Sequence, residues 1–375
     1  MRQGASNTLC VIGFMLATCL IQSSQAGQSP GRALSEAAGI PWPAVIAHRG
    51  ASYDAPEETA AAFRLARDVG ADYLEADLQR TRDGVLVAFH DTTLERTTNV
   101  RELYPDRARE PLSAFTLAEL KRLDAGSWFN KTYPQRARPA FSGLPILTLD
   151  ELIDIAEGGV NRPGLYLETK RPELFPGIET DLQRVLERRG WLDPRPHAPS
   201  GAVDVASGRG RVVLQTFSRG SLELLQQSMP DVPKILLLTF GDGYMAMRSA
   251  VSFEASGETD EAAFYARQEV KSEAEFAAWT DWAKAHGALG TGPSVLSREP
   301  DPQSYMDLVK PWMNRMTHDR GLFIHAYTVN SAKDFESLAK RGVDGFFTNR
   351  ADLLLSLYNR PSPLGVDALL RRNGY

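Results

Sequence analysis

Eight short apolar runs, mostly separated by stretches of helical pattern, limit the folds open to this chain more than any other feature. They are AVIA (44–47), DYLEADL (72–78), GLYLETK (164–170), RVVLQTF (211–217), KILLLTF (234–240), GALGTG (287–292), LFIHAYTV (322–329) and VDGFFTN (343–349). Apolar residues recur three and four apart over Glu58–Gly70, and helical stretches are also expected at Leu149–Ala156, Ile178–Arg189, Ser221–Met229, Glu273–His286 and Ala332–Arg341. Such alternation implies parallel strands with crossover helices, because parallel neighbours cannot be joined by a tight turn. Eight units predict an α/β fold, a closed (β/α)8 TIM-type barrel, which needs about 250 residues. The chain has 375, so the surplus is expected in insertions. Residues 92–147, rich in Arg, Pro and aromatics, and residues 241–285 interrupt the rhythm. A doubly wound open sheet is the competing architecture. It would follow its first strand with a glycine-rich phosphate loop, where this chain has His48-Arg49-Gly50.

The stretch LEADLQRTRDGVLVAFHD (74–91) departs from that pattern in an informative way. Asp83-Gly84 between alternating apolar runs signals an antiparallel hairpin, since Asp and Gly tolerate the positive φ of a two-residue turn. The expected pairs are Arg82–Val85, Thr81–Leu86, Arg80–Val87, Gln79–Ala88, Leu78–Phe89 and Asp77–His90. Paired side chains share a face, and Glu75 joins it through the two-residue period of a strand. Taken alone, such a hairpin is an ordinary surface feature. The other strand ends change its meaning. The first strand ends in His48-Arg49, and the third run carries Glu168 and Lys170, again two apart. In a barrel all of these meet at the C-terminal rim, where such folds keep their chemistry.

Three clustered acids, Glu75, Asp77 and Glu168, repel one another, and a hard divalent cation relieves that repulsion. Oxygen-only ligation suits Ca²⁺ or Mg²⁺ rather than zinc. Arg49 and Lys170 suit a phosphate, and the two histidines, His48 and His90, suit a proton taken from one oxygen and given to another. Together these parts describe metal-assisted phosphodiester cleavage. Gln215 is expected as a hydrogen-bonding wall residue; Phe217 and Tyr327, at or near strand ends, pack in the core by default or, at the rim, line the substrate site. Trp128-Phe129 would cover the leaving group or form a local core. His325, opening a strand, could reach the rim; His197 and His318 are expected at the surface, and His286 ends a helix.

The N-terminus reads as an export signal. Arg2 is the only charge in the first 26 residues, an apolar run follows at 9–21, and small residues stand at Ser24 and Ala26. Cleavage near Ala26 would give a periplasmic or secreted protein. Acylation at Cys19 is a weaker reading, because Thr18 is unusual before such a cysteine. Both cysteines, Cys10 and Cys19, lie in this segment, so the mature chain would have no disulfide or thiol nucleophile. A lead-in (27–43), the barrel (44–360) and a tail (361–375) follow. The net charge of −5, with no basic stretch, argues against a nucleic-acid partner. The apolar run is too short for a comfortable span of about 20 residues, and no basic amphipathic helix marks a membrane surface. The sequence carries no signal for an oligomeric state.

Seven segments carry a family resemblance: AHRGASYDAPEETAAAF (47–63), GADYLEADLQRTRDGVLVAFHDTTLERTT (70–98), FTLAELKRLDAGSWF (115–129), LYLETK (165–170), LQTF (214–217), HAYTVN (325–330) and GVDGFFTN (342–349). In this order the chain resembles the glycerophosphodiester phosphodiesterases, particularly the larger exported kind. The resemblance implies His48 and His90 as the acid/base pair, Glu75, Asp77 and Glu168 as metal carboxylates, and Arg49 and Lys170 as phosphate cations. It implies hydrolysis of glycerophosphodiesters to glycerol 3-phosphate and an alcohol, through attack by the glycerol's own hydroxyl and a cyclic phosphate. It also implies that the 92–147 insertion caps the barrel mouth. A lysophospholipase D or phospholipase C-like enzyme on the same fold is the alternative, and a non-catalytic binding protein a more distant one. One departure stands out: Pro56-Glu57-Glu58-Thr59 has an acid where the family often has asparagine. Glu58 is expected to open the helix and stay solvated; facing the site instead, it would shift metal preference.

Overall fold

The computed structural model describes residues 1, 30–193, 201–239, 272–297 and 306–375; between 251 and 270 it describes 251, 253–260, 263–264, 267–268 and 270. The expected export signal, with Cys10 and Cys19, lies outside these residues, as does His197. Eight parallel strands follow the eight apolar runs: β1 Ala44–Ala47, β2 Tyr73–Arg80, β4 Gly164–Thr169, β5 Val212–Thr216, β6 Lys234–Leu238, β7 Gly290–Pro293, β8 Phe323–Ala326 and β9 Gly345–Thr348; the short β3, Leu86–Ala88, runs antiparallel to β2 as the arm of the hairpin. Each pairs with the next, and β9 pairs back onto β1, which also pairs with β2, so the ring is closed. The architecture is the (β/α)8 barrel, and every helix expected between strands is present within a few residues of its expected limits.

Strand alternation sorts the side chains into two cores. Tyr73, Tyr166, Val213, Ile235, Leu237, Phe323 and Phe347 fill the bore, with Tyr73 and Tyr166 edge to face at 5.4 Å. The neighbouring positions Leu74, Ala76, Leu165, Leu167 and Leu214 face outward against the helical layer. Filling the bore with rings leaves chemistry only at its end, the usual arrangement of such barrels.

Residues 92–147 have a small core of their own. Leu94, Val100, Leu112, Phe115, Leu120 and Leu123 bury against Val87 and Phe89 of the hairpin arm. Short helices at Val100–Leu103, Leu117–Leu120 and Ser127–Thr132 carry it. Phe129 is fully buried, packing on Phe141 at 5.6 Å; Trp128 next to it is only partly buried. The chain re-enters the barrel at Thr148, whose hydroxyl and Glu151 form a reciprocal cap that starts the helix Leu149–Glu157. Helices not expected from the pattern occur at Pro30–Ala38 in the lead-in, at Pro311–Asp319 and Ala351–Leu357 in the barrel, and at Val366–Arg372 in the tail. Among the described residues, no helix is long and apolar enough to cross a membrane.

Candidate active site

Register places the acids. Asp77 of β2 lies beside Glu168 of β4, and Glu168 lies beside Gln215 of β5. Glu75 stands two residues before Asp77 and so faces the same way. Oxygens of Glu75, Asp77 and Glu168 all come within 4.8 Å of one another, and the three residues are 1%, 2% and 5% exposed. Among the described residues this is the single acid cluster of metal-binding shape. A cavity of about 160 Å³ opens over it, lined by His48, Arg49, Glu75, Asp77, Glu168, Lys170, Gln215, Phe217 and Tyr327, with Leu237, Met306 and Phe347 on its apolar wall. Of the ten expected site residues, only His90 is not part of this lining; it lines a separate, smaller cavity with Glu57, Glu58 and Thr97.

Cations thread the cluster. Lys170 Nζ lies 3.3 Å from both Asp77 Oδ1 and Glu168 Oε1, and Arg49 Nε lies 3.0 Å from Asp77 Oδ2. The Arg49 backbone N–H donates to Glu75 Oε2 at 2.7 Å, and Gln215 Nε2 donates to Glu75 Oε1 at 2.8 Å. The backbone donor is aimed by a tight turn: Arg49 and Gly50 both have positive φ, +58° and +83°. A Cβ at residue 50 would sit 2.6 Å from the Ala62 carbonyl carbon, so glycine is required there.

Burial pushes the acids apart in pKa. Glu75 is raised well above the ordinary range, by burial and then by the Asp77 carboxylate. Glu168 is raised to about 8, by burial and by Asp77 against the pull of Lys170. Burial would raise Asp77 too, but Lys170, His90 and Arg49 hold it well below its usual value. The Glu168 and Asp77 carboxyls are close enough to share a proton. A cation among them would replace that proton, and three buried carboxylates with oxygen-only donors fit a hard divalent ion. The triad could therefore hold a metal ion.

His48 and His90 are each fixed through Nδ1. His48 Nδ1 lies 2.8 Å from Asn349 Oδ1, and His90 Nδ1 lies 2.6 Å from Asp91 Oδ1. Both partners are acceptors, so Nδ1 carries the proton and Nε2 the lone pair of each neutral ring. Burial, then Arg49 and Lys170, lower His90 to about 4.

Two expectations at the rim need correction. The hairpin register is Leu78–Ala88, Gln79–Val87 and Arg80–Leu86, one residue from the expected pairing. The Thr81 N–H donates to Val85 O, so the loop is three residues, 82–84, with Gly84 at φ +86°. The ladder runs on to Phe89, whose N–H donates to Asp77 O at 2.8 Å, so His90 lies just past the paired residues and not opposite Asp77 as expected. The Gln79 side-chain amide binds the carbonyls of Phe89, His90 and Asp91 at 2.7, 3.3 and 2.9 Å, and His90 remains near enough to Asp77 to help hold it ionised. Glu58, expected in solvent, is 4% exposed. It adopts φ +58° and accepts the Asp77 backbone N–H at 2.9 Å. Burial, then Asp77 and Glu75, raise its pKa well above the ordinary range.

The remaining residues sort plainly. His325 lies inside the bore, fully buried, with Tyr166 Oη 2.9 Å from its Nδ1. His318 is not a surface residue; it is largely buried against Asp344 at 2.8 Å. His286 follows its helix and stacks on Trp282. The pattern reading missed Asp91, Arg96, Gln79 and Asn349. Asp91 directly follows His90 and Asn349 directly follows the GFFT strand, so proximity to a rim residue was the available signal.

A family model described as "Glycerophosphoryl diester phosphodiesterase family" matches residues 48–353. The chain belongs to this family. It is 34% identical over 308 residues to a glycerophosphodiester phosphodiesterase of Bacillus subtilis, covering 82% of this chain and 84% of that one. It is 28% identical over 320 residues to a glycerophosphodiester phosphodiesterase of Caldanaerobacter subterraneus, covering 84% and 98%. In fold it resembles an Oleispira antarctica phosphodiesterase solved with the product sn-glycerol-3-phosphate. The TM-score there is 0.58 at 23% identity, covering 85% of this chain and 97% of that one. As a family member the chain is a phosphodiesterase, and the rim cavity is its candidate active site.

Proposed function

We propose that this phosphodiesterase hydrolyses glycerophosphodiesters to glycerol 3-phosphate and an alcohol, with a divalent cation, Ca²⁺ or Mg²⁺, on Glu75, Asp77 and Glu168. The observation that carries the reading is one cavity lined by three buried acids, two cations and an imidazole. When bound, the ion would polarise the phosphate and offset its negative charge. Arg49 and Lys170 bind the remaining phosphate oxygens; both stay charged, because against burial the neighbouring acids raise them. Phe217 and Tyr327, edge to face at 5.8 Å, offer an apolar wall to the glycerol or alcohol. Gln215 is committed to Glu75 and orients it through its side-chain amide N–H.

One imidazole of the His48–His90 pair takes the proton from the attacking glycerol hydroxyl, and the other protonates the leaving oxygen. The P–O bond to the alcohol breaks as the new one closes a cyclic phosphate. Water then opens the ring with the roles of the two rings reversed. The expected export signal would place this chemistry in a periplasm or outside the cell. The test compares release from glycerophosphocholine and lysophosphatidylcholine by wild type and His48→Ala. Turnover of the first substrate, lost in a folded His48→Ala, supports the reading; activity on the lipid alone overturns it.

A further inference from the structure

The cap insertion sends one side chain back toward the catalytic rim. Arg96 grips two carboxylates at once. Its Nε and one terminal nitrogen contact Asp91 at 2.6 and 2.9 Å, and its two terminal nitrogens contact Glu57 at 2.6 and 3.0 Å. Asp91 holds His90 Nδ1, and Glu57 lies 3.3 Å from an Arg49 terminal nitrogen. Arg49 in turn contacts Asp77. A continuous line of hydrogen bonds and ion pairs therefore runs His90–Asp91–Arg96–Glu57–Arg49. Both carboxylates are held ionised. Burial would raise them, but Arg49 and Arg96 keep Glu57 at about 2, and His90 and Arg96 keep Asp91 far below its usual value.

We propose that Arg96 is a positioning residue, fixing His90 and Arg49 relative to each other through Asp91 and Glu57. This rests on the reading of His90 as acid/base and Arg49 as a phosphate ligand. A guanidinium suits the task because its donors lie in one plane and engage two carboxylates bidentately, locking their orientation. An ammonium supplies charge without that plane. The insertion is then part of the catalytic frame as well as a cover.

The arrangement predicts a division of labour. Asp91→Asn cuts the histidine side and should mainly lower kcat; Glu57→Gln cuts the arginine side and should mainly raise KM for glycerophosphocholine. Arg96→Ala should do both, with kcat down about 10²-fold, the scale of a misplaced catalytic group. Adding Asp91→Asn or Glu57→Gln to Arg96→Ala should cost much less than it does in wild type. Millimolar guanidinium should restore part of the lost kcat, whereas ethylammonium should not. Full additivity, or wild-type kinetics in a folded Arg96→Ala, would overturn the clamp. Should Arg96→Ala not fold, Arg96→Lys carries the same test: a folded protein with kcat lost supports the role, and wild-type kcat overturns it. A wild-type chain with no turnover of any glycerophosphodiester would overturn the functional reading itself, and the clamp with it; an active wild type with unaffected variants overturns the clamp alone.

Discussion

Replacing Glu168 by glutamine should change how stability depends on pH, by an amount the structure sets. Glu168 titrates at about 8 when folded and near its ordinary value of 4.5 when unfolded. Below about pH 4.5 both states carry the proton and the group contributes nothing to the pH slope. Between 4.5 and 8 the folded state keeps a proton that the unfolded state has lost, so stability falls as pH rises. The slope for one group is about 1.4 kcal/mol per pH unit, which over the interval reaches at most ~5 kcal/mol. Glu168→Gln removes this titration. Urea unfolding of chelated protein at pH 5, 6, 7 and 8 should show the variant gaining on wild type at each step. A saturating divalent cation should stabilise wild type most at the high end, because ligand binding needs the deprotonated acid. A stability difference that stays constant across this range, in chelated protein, would refute the claim that the acids crowd one another at the rim.

Three further outcomes follow from contacts of the rim. Gly50→Ala combines a left-handed backbone with a Cβ pressed on Ala62, and should cost roughly 2–4 kcal/mol by thermal unfolding. Asn349→Ala removes the partner of His48 Nδ1; kcat should fall about 10²-fold in a steady-state assay with little loss of stability. Gln79→Leu strips a donor from three carbonyls. It should lower unfolding free energy by about 1–3 kcal/mol and reduce kcat by loosening the segment that carries His90.

The barrel was legible because its strands are short, apolar and bounded by turn residues, and because its helices repeat every three to four residues. The helix Pro311–Asp319 escaped notice: its Trp, Met and His residues blur the apolar stripe, although a proline stands at its start. The rim acids were legible as pairs two apart at strand ends. The hairpin register was not, since a glycine in the left-handed region also closes three-residue loops, and the choice rests on how Thr81 meets Val85. Glu58 misled for a similar reason. An acid before a helix reads as a solvated first-turn charge, yet here the helix starts only after Thr59, and the preceding turn folds Glu58 beneath Asp77. The Arg96 bridge joins residues 39 apart in the chain, and no local pattern announces it.

The most direct test of the central claim is turnover of glycerophosphocholine by exhaustively chelated protein, followed by stepwise addition of Ca²⁺ or Mg²⁺. The account predicts no glycerol 3-phosphate without the ion, recovery on adding it to wild type, and no recovery in a folded Glu75→Gln, Asp77→Asn double variant. Full activity after chelation, or equal recovery in that variant, would contradict it.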